Sequence, residues 1–113
     1  MPKSKVYSML GLATKAGKTV SGEFAVEKAI KEEKAMLCIV AEDASDNTKK
    51  MFRNMCEYRK VPFFIFSDKE SLGHEIGKEM RAVVAVLDMG FKNMIIKQLE
   101  IENGGSESGQ NEN

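Results

Sequence analysis

Apolar residues along the chain follow two spacings, one typical of helices and one of buried strands. Spacing by three and four residues joins four apolar side chains near the N-terminus: Val6, Met9, Leu10 and Ala13. This spacing predicts a helix over residues 4–15, stopped by Gly17. Continuous apolar runs that contain β-branched residues occupy 35–41 and 82–87. Such runs indicate strands that are buried on both faces of a sheet.

Weaker signals between these runs predict three further elements. The short segment 18–20 is compatible with a brief strand, and 61–66 with a longer one that has Pro62 near its beginning. Between the first helix and the run at 35–41, the apolar spacing predicts a second helix over 22–33.

Capping residues mark the starts of the later helices. Ser45 or Asp46 can cap a third helix. The segment SDKE fits a capping box in which Ser67 caps a short fourth helix that ends by Gly77. Apolar spacing predicts the inner faces of the third and the last helix to be Met51, Phe52, Met55 and Cys56, and Phe91, Met94, Ile95 and Leu99.

The alternation of helices and strands predicts a single α/β domain with helices on both faces of a small sheet. The pattern leaves the strand order open. Residues 1–102 are predicted to form this domain. The segment 103–113 contains Gly, Ser, Asn, Gln and Glu but no apolar residue, so we expect a disordered acidic tail.

The net charge of zero conceals an uneven distribution. Residues 1–22 carry four lysines and no acid, whereas residues 100–113 carry four glutamates and no base. Residues 1–99 therefore contain 17 basic and 13 acidic residues. This excess is compatible with a nucleic-acid partner, but it is too small to define one.

Residue content argues against several classes of protein. Cys38 lies in an apolar run and Cys56 in a helical pattern, so both are expected to be buried, reduced thiols. With one His and no CxxC pair, no metal or cofactor is expected. No apolar run approaches the roughly 20 residues that span a bilayer, and residues 1–10 lack the long apolar stretch and cleavage site typical of a secretory signal. We therefore expect a cytoplasmic protein without a membrane partner.

Three stretches beside predicted strands carry candidate chemistry: 21–28, 41–45 and 77–82. Loops at one edge of such a sheet commonly hold functional residues. The open N–H groups of a helix start at residue 22 favour phosphates and other acceptors. The cations suited to phosphates or base edges are Lys15, Lys18, Lys28, Lys78 and Arg81, and Met80 can pack on an unstacked nucleotide.

The carboxylates Glu42 and Asp43 allow two interpretations. They fit general acid–base catalysis or magnesium binding. They also fit a solvated loop whose acids favour the start of the next helix, and this second interpretation is preferred. His74 has no nucleophile at a spacing that indicates catalysis. The sequence therefore does not indicate an enzyme.

A family resemblance rests on six stretches taken in order: LGLATKAGK, SGEFAVEKAI, CIVAEDAS, NTKKMFRNMCEYRKVPFFIF, LGHEIGKEMRAVVAVLD and the following GF. Together they resemble the kink-turn RNA-binding superfamily of ribosomal proteins, of the archaeal L7Ae type, and most closely its small bacterial YlxQ-like branch. The resemblance covers roughly residues 5–100. It implies a three-layer α/β/α sandwich with a small mixed four-stranded sheet, and no catalysis.

The resemblance also implies an RNA site. Family members bind a sharply bent RNA in which tandem sheared G·A pairs flank a bulge. The bend opens a groove that regular A-form RNA closes to side chains. A helix start enters this groove, and a separate loop covers the extruded bulge nucleotide.

The family motif G-x-N-E-x-x-K falls on residues 22–28. Gly22 and Lys28 match it, whereas Phe24 and Ala25 stand where the family has the Asn and Glu that contact guanine edges. Glu23 lies one position before the altered pair. The acidic turn and the bulge-covering loop of the family correspond here to Glu42 and Asp43, and to Lys78, Glu79, Met80 and Arg81.

These observations predict a non-enzymatic RNA-binding protein of the translation apparatus that recognises kink-turn-like structured RNA. Ribosomal RNA is a candidate target, and ribosome association is a candidate context. The alternative is a protein-interaction module that keeps the fold with a degraded RNA site. The near-neutral charge and the two altered motif positions favour that alternative.

Overall fold

A computed structural model of the chain describes residues 4–103, which form five helices and four strands. In chain order these are α1 (Lys5–Lys15), β1 (Thr19–Ser21), α2 (Glu23–Lys31), β2 (Leu37–Val40), α3 (Asp46–Arg59), β3 (Phe63–Ile65), α4 (Lys69–Glu75), β4 (Val83–Val86) and α5 (Met89–Glu102). The predicted order of elements is confirmed, with differences only at their ends. The predicted tail lies outside the described residues, except Asn103, which ends α5.

The four strands form one mixed sheet in the order β1-β4-β2-β3. Strand β4 runs antiparallel to both of its neighbours, β1 and β2, whereas β3 runs parallel to β2. The mixed four-stranded sheet implied by the family resemblance is therefore confirmed. The structure also settles the strand order, which the sequence pattern left open.

Strand direction brings four loops to one edge of the sheet. Because only β4 runs in the opposite sense, β1, β2 and β3 end where β4 begins. We call this side, where Ser21, Val40 and Ile65 end their strands and Val83 begins its own, the upper edge. The opposite side, where β4 ends, is the lower edge. All three candidate stretches, 21–28, 41–45 and 77–82, meet or begin at the upper edge.

Helices cover both faces of the sheet, which confirms the three-layer sandwich. One core joins the sheet to α1, α4 and α5, and its sheet residues are Leu37, Ile39, Ala41, Val84 and Val86. The other joins the sheet to α2 and α3, and its sheet residues are Cys38, Val40, Val83 and Ala85. Alternate residues of β2 and β4 thus serve opposite cores, as the period of a strand requires. This explains why both strands read as continuous apolar runs.

The prediction that Met51 and Met94 lie on inner helix faces is wrong. Met51 of α3 and Met94 of α5 are 38% and 43% exposed. In α3 the buried positions are instead Thr48, Phe52 and Cys56, at intervals of four residues. A helix lying on a flat sheet buries a narrow stripe, so a Met at the margin of the stripe stays in solvent.

The predicted cap of α4 is also wrong. Asp68 caps the helix, and its carboxylate accepts a hydrogen bond from the Ser71 amide at 2.8 Å. Ser67 has a left-handed backbone (φ 70°), which is incompatible with the extended conformation of a cap. Its hydroxyl is hydrogen-bonded to the Tyr7 hydroxyl at 2.6 Å instead. The cap of α3 by Ser45 is confirmed, with a hydrogen bond from the Thr48 amide at 3.1 Å.

Both cysteines are buried and unpaired, as expected. Within residues 4–103, no group of three or more His, Cys, Asp or Glu side chains could hold a metal ion. In the same range, no helix has the length and apolar character needed to cross a membrane.

The contrast between the neighbours Phe52 and Met51 gives a test of the core. Phe52→Ala empties a fully buried ring site between α3 and the sheet, so we expect a loss of about 3–5 kcal/mol of unfolding free energy. Met51→Ala removes an exposed side chain and should cost less than about 1 kcal/mol. Urea unfolding of the two variants measures the difference. Equal losses would contradict the placement of α3.

Candidate nucleic-acid interface

The start of α2 lies at the upper edge with its first turn open. Gly22 precedes the helix with φ 92°, a conformation that favours glycine, and no side chain caps the helix start. The Gly22 amide donates to the Val83 carbonyl at 3.0 Å, which fixes the turn against β4. An added Cβ at Gly22 would meet nothing within 4 Å. The first-turn N–H groups are therefore available to an external acceptor.

The exposed side of α2 presents an aromatic ring and a cation one turn apart. Phe24 is 82% exposed, and Ala25 beside it is half-buried. The side chain of Lys28 is 59% exposed and lies 3.2 Å from Glu32. The hydrogen bond and charge of Lys28 hold the pKa of the Glu32 carboxyl below its usual value. Because this ion pair is exposed, an anionic ligand can compete for Lys28 at little cost.

The side chain of Glu23 contacts α3. Its carboxylate accepts a hydrogen bond from the Thr48 hydroxyl at 3.0 Å, and Thr48 in turn accepts one from Ser45. A depression of about 580 Å³ lies between the two helix starts. Its lining includes polar side chains of α3 that the sequence analysis did not single out: Asn47, Lys50 and Asn54. Their spacing of three and four residues is the signal that could have identified them.

Two cations flank the other side of the α2 start. A cavity of about 370 Å³ along the edge strand β1 is lined by Lys78 and Arg81 together with hydroxyl and apolar groups of Thr14, Thr19, Val20, Ser21, Ala25 and Ile76. Arg81 is half-buried, and its Nε donates to the Ser21 hydroxyl at 2.9 Å. In the part of the chain that the structure describes, no carboxylate forms an ion pair with either cation. Cations beside hydroxyl groups suit a phosphate.

Hydrogen bonds join the loops of the upper edge into one unit. The Arg81 amide donates to the Lys69 carbonyl at 3.0 Å, and the Lys69 amide donates to the Asp43 carboxylate at 2.9 Å. The Glu42 amide donates to the Ser67 carbonyl at 2.7 Å. Asp43 thus supports the start of α4, whereas the side chain of Glu42 is exposed. The favoured helix-start interpretation of these acids fits Asp43, although the helix is α4 rather than α3.

Gly73 positions the loop at 77–82 and was missed by the sequence analysis. A Cβ at this buried position of α4 would stand 1.2 Å from the Glu79 carbonyl oxygen, so the loop folds directly onto the helix backbone. The Lys78 amide donates to the Gly73 carbonyl at 2.8 Å. A glycine inside a helix destabilises the helix by roughly 1 kcal/mol relative to alanine. A glycine at such a position therefore indicates that another segment packs closely against it, and Gly73 could have been identified on this ground.

The remaining candidates divide between the two edges. Glu79 and Met80 are exposed in the loop that ends at Arg81. Lys15 ends α1, and Lys18 precedes β1 with its carbonyl bonded to the Leu87 amide, which places both at the lower edge. About 13 Å of extended chain separates Lys18 from Gly22. The structure therefore groups the α2 start with the 77–82 loop and leaves Lys15 and Lys18 apart from them.

Comparison with known proteins defines the class of this chain. Residues 4–96 match the model of the ribosomal protein L7Ae/L30e/S12e/Gadd45 family, and the chain belongs to that family. The family resemblance seen in the sequence is thereby confirmed. Membership of this family also agrees with the prediction of a protein without catalytic activity.

Individual relatives give a finer position within the family. The chain is 47% identical over 94 residues to the RNA-binding protein YlxQ of Bacillus subtilis (strain 168), covering 83% of this chain and 94% of that protein. It is 30% identical over 109 residues to the large ribosomal subunit protein eL8 of Picrophilus torridus, covering 96% and 86%. A solved structure of a protein with unknown function from Bacillus halodurans C superposes with a TM-score of 0.84 at 33% identity, covering 87% and 99%. The YlxQ match confirms the similarity to the YlxQ-like branch.

The contact at Gly73 gives a test of how the upper edge is held. In Gly73→Ala the loop at 78–81 must move away from α4, so we expect its amide resonances to shift and the unfolding free energy to fall by about 1–3 kcal/mol. Gly11→Ala is the matched control, because its Cβ would meet only the Glu75 carbonyl oxygen at 3.4 Å. Two-dimensional NMR and urea unfolding measure both effects. Unchanged loop resonances in Gly73→Ala would contradict this packing.

Proposed function

We propose that this protein binds structured RNA with a kink-turn-like bend through its upper edge. The observation that carries the proposal is the open start of α2, which stands between Arg81 and Lys78 on one side and the polar depression of α3 on the other. The name of the YlxQ relative, an RNA-binding protein, supports RNA as the ligand. The name of the eL8 relative supports a role in translation, with ribosomal RNA as a candidate target.

The cations and the uncapped amides of the upper edge account for the contacts with the RNA backbone. The N–H groups of the α2 start donate hydrogen bonds to a phosphate or to a base-edge acceptor, and Gly22 lets the RNA approach because it has no side chain. Lys28, Lys78 and Arg81 bind phosphates on either side of the α2 start. With so few cations, affinity should fall with salt along a modest slope.

Selectivity for the bend follows from shape. A regular A-form helix has a major groove too narrow for a protein helix start, whereas a sharp bend exposes base edges and backbone. In the family motif an Asn and a Glu read guanine edges, and here those slots hold Phe24 and Ala25. A good bidentate base contact contributes roughly 1–3 kcal/mol of discrimination. Shape and backbone contacts must therefore supply a larger share of the selectivity in this protein.

Lys28 gives a direct test because α2 also carries a matched control. Lys28→Ala should weaken binding of a kink-turn RNA about ten-fold or more, since a hydrogen bond to a charged group contributes roughly 1.5–3 kcal/mol. Lys31→Ala, three residues further on, removes an equally exposed lysine that is also paired to a glutamate, at 2.7 Å from Glu27. This control should leave the affinity within about two-fold. Titration by isothermal calorimetry measures both dissociation constants.

The RNA itself supplies the second control. A duplex in which the G·A pairs are replaced should bind the wild-type protein much more weakly than the kink-turn RNA does. Deletion of residues 103–113 should not weaken binding, because the proposed contacts all precede them. Equal, weak binding to both RNAs would overturn the proposal and favour a protein-interaction module instead.

A further inference from the structure

Phe24 is exposed although its chemistry favours burial. Of the six phenylalanines, five are buried or half-buried in the two cores, whereas Phe24 is 82% exposed in the first turn of α2. Burial of a phenylalanine side chain stabilises a fold, and this fold lacks that stabilisation at Phe24. Phe24 therefore has apolar surface available to a partner that arrives from outside.

The backbone around Phe24 is held firmly, which suits a preorganised contact. Glu23 before it is bonded to Thr48 of α3 at 3.0 Å, and Val26 two positions later is fully buried. The Gly22 amide is bonded to β4. Only the two side-chain torsions of Phe24 remain to be fixed on binding, so an aromatic contact here carries a small entropic cost.

The charges near Phe24 favour a nucleotide over an apolar protein surface. Arg81 is bonded to Ser21 three residues before Phe24, Lys78 lines the same cavity as Arg81, and Lys28 follows one turn later. The nearby acids are engaged, Glu23 with Thr48 and Glu27 with Lys31. An exposed ring one turn before Lys28, beside Ala25 in the lining of the Lys78 and Arg81 cavity, matches the two parts of a nucleotide. The base can stack on the ring while the phosphate meets the charges.

We propose that Phe24 stacks on an unstacked base of the bound RNA and so acts as a specificity-determining residue. This inference rests on the proposed function and deepens it. Elsewhere in the family, the residue at this position hydrogen-bonds to a guanine edge. Here Phe24 stacks on the face of a base instead. Every base has a π-face, so stacking tolerates changes of base identity. The protein then selects a bend that offers an unstacked base rather than a particular base at this point.

A tryptophan reporter tests the stacking itself. The chain contains no tryptophan, so Phe24→Trp introduces a single indole whose fluorescence is quenched when a base stacks on it. Tyr58→Trp is the matched control, because Tyr58 is also 82% exposed but lies near the end of α3, by the lower edge. We expect a saturable, strong quench by kink-turn RNA in Phe24→Trp and little change in Tyr58→Trp. Binding without a quench at residue 24, or an equal quench at both positions, would overturn the proposal.

An affinity series separates stacking from general apolar contact. Phe24→Tyr and Phe24→Trp keep an aromatic face and should stay within about three-fold of the wild type. Phe24→Leu keeps an apolar side chain without the face and should bind at least about five-fold more weakly. Circular dichroism verifies that the variants are folded, as the exposure of this side chain leads us to expect. Tyr58→Leu serves as the control and should bind like the wild type.

The outcomes distinguish the two proposals. If the wild type fails to discriminate the kink-turn RNA from the duplex, the proposed function and the stacking role both fall. If the wild type discriminates and Phe24→Leu binds equally well, only the stacking role is overturned. Discrimination by the wild type, with a selective loss in Phe24→Leu and a quench in Phe24→Trp, supports both.

Discussion

The candidate site depends on the antiparallel placement of β4 between β1 and β2. With this one reversal, three strands end where the fourth begins, and four loops meet at the upper edge. The hydrogen bond from Gly22 to Val83 and that from Arg81 to Ser21 then join the α2 start to the 77–82 loop. Segments that are about 60 residues apart in the chain thus become one continuous surface.

The residues that stabilise the fold and those of the proposed RNA site lie in different parts of this architecture. The apolar runs of β2 and β4 serve two cores, so the sheet is fixed by burial on both faces. That burial allows the upper edge to keep features that do not stabilise the fold: a helix start without a side-chain cap, a glycine inside α4 and an exposed phenylalanine. Such local exceptions concentrate at functional sites, since the rest of the structure compensates for them.

The sequence predicted features that depend on neighbouring residues and missed those that depend on contacts between distant segments. Element order, the Ser45 cap and the two buried strands follow from spacing and residue type. The strand order, the contact of Gly73 with Glu79 and the Asp68 cap depend on tertiary packing, which no local pattern records. The same limit applies to the site. Lys28 was identified from the predicted helix start and Phe24 from the family motif. Only the fold shows that Lys18 lies at the other edge and that Asn47 flanks the α2 start.

If the protein binds RNA as proposed, the contacts lie at the upper edge and not at another surface. Titration of isotope-labelled protein with kink-turn RNA, followed residue by residue through backbone amide resonances, tests this most directly. We expect the largest perturbations at residues 22–28 and 78–82, with residues 58–61 at the lower edge unchanged. Perturbations centred on the lower edge, or none at saturating RNA, would contradict it.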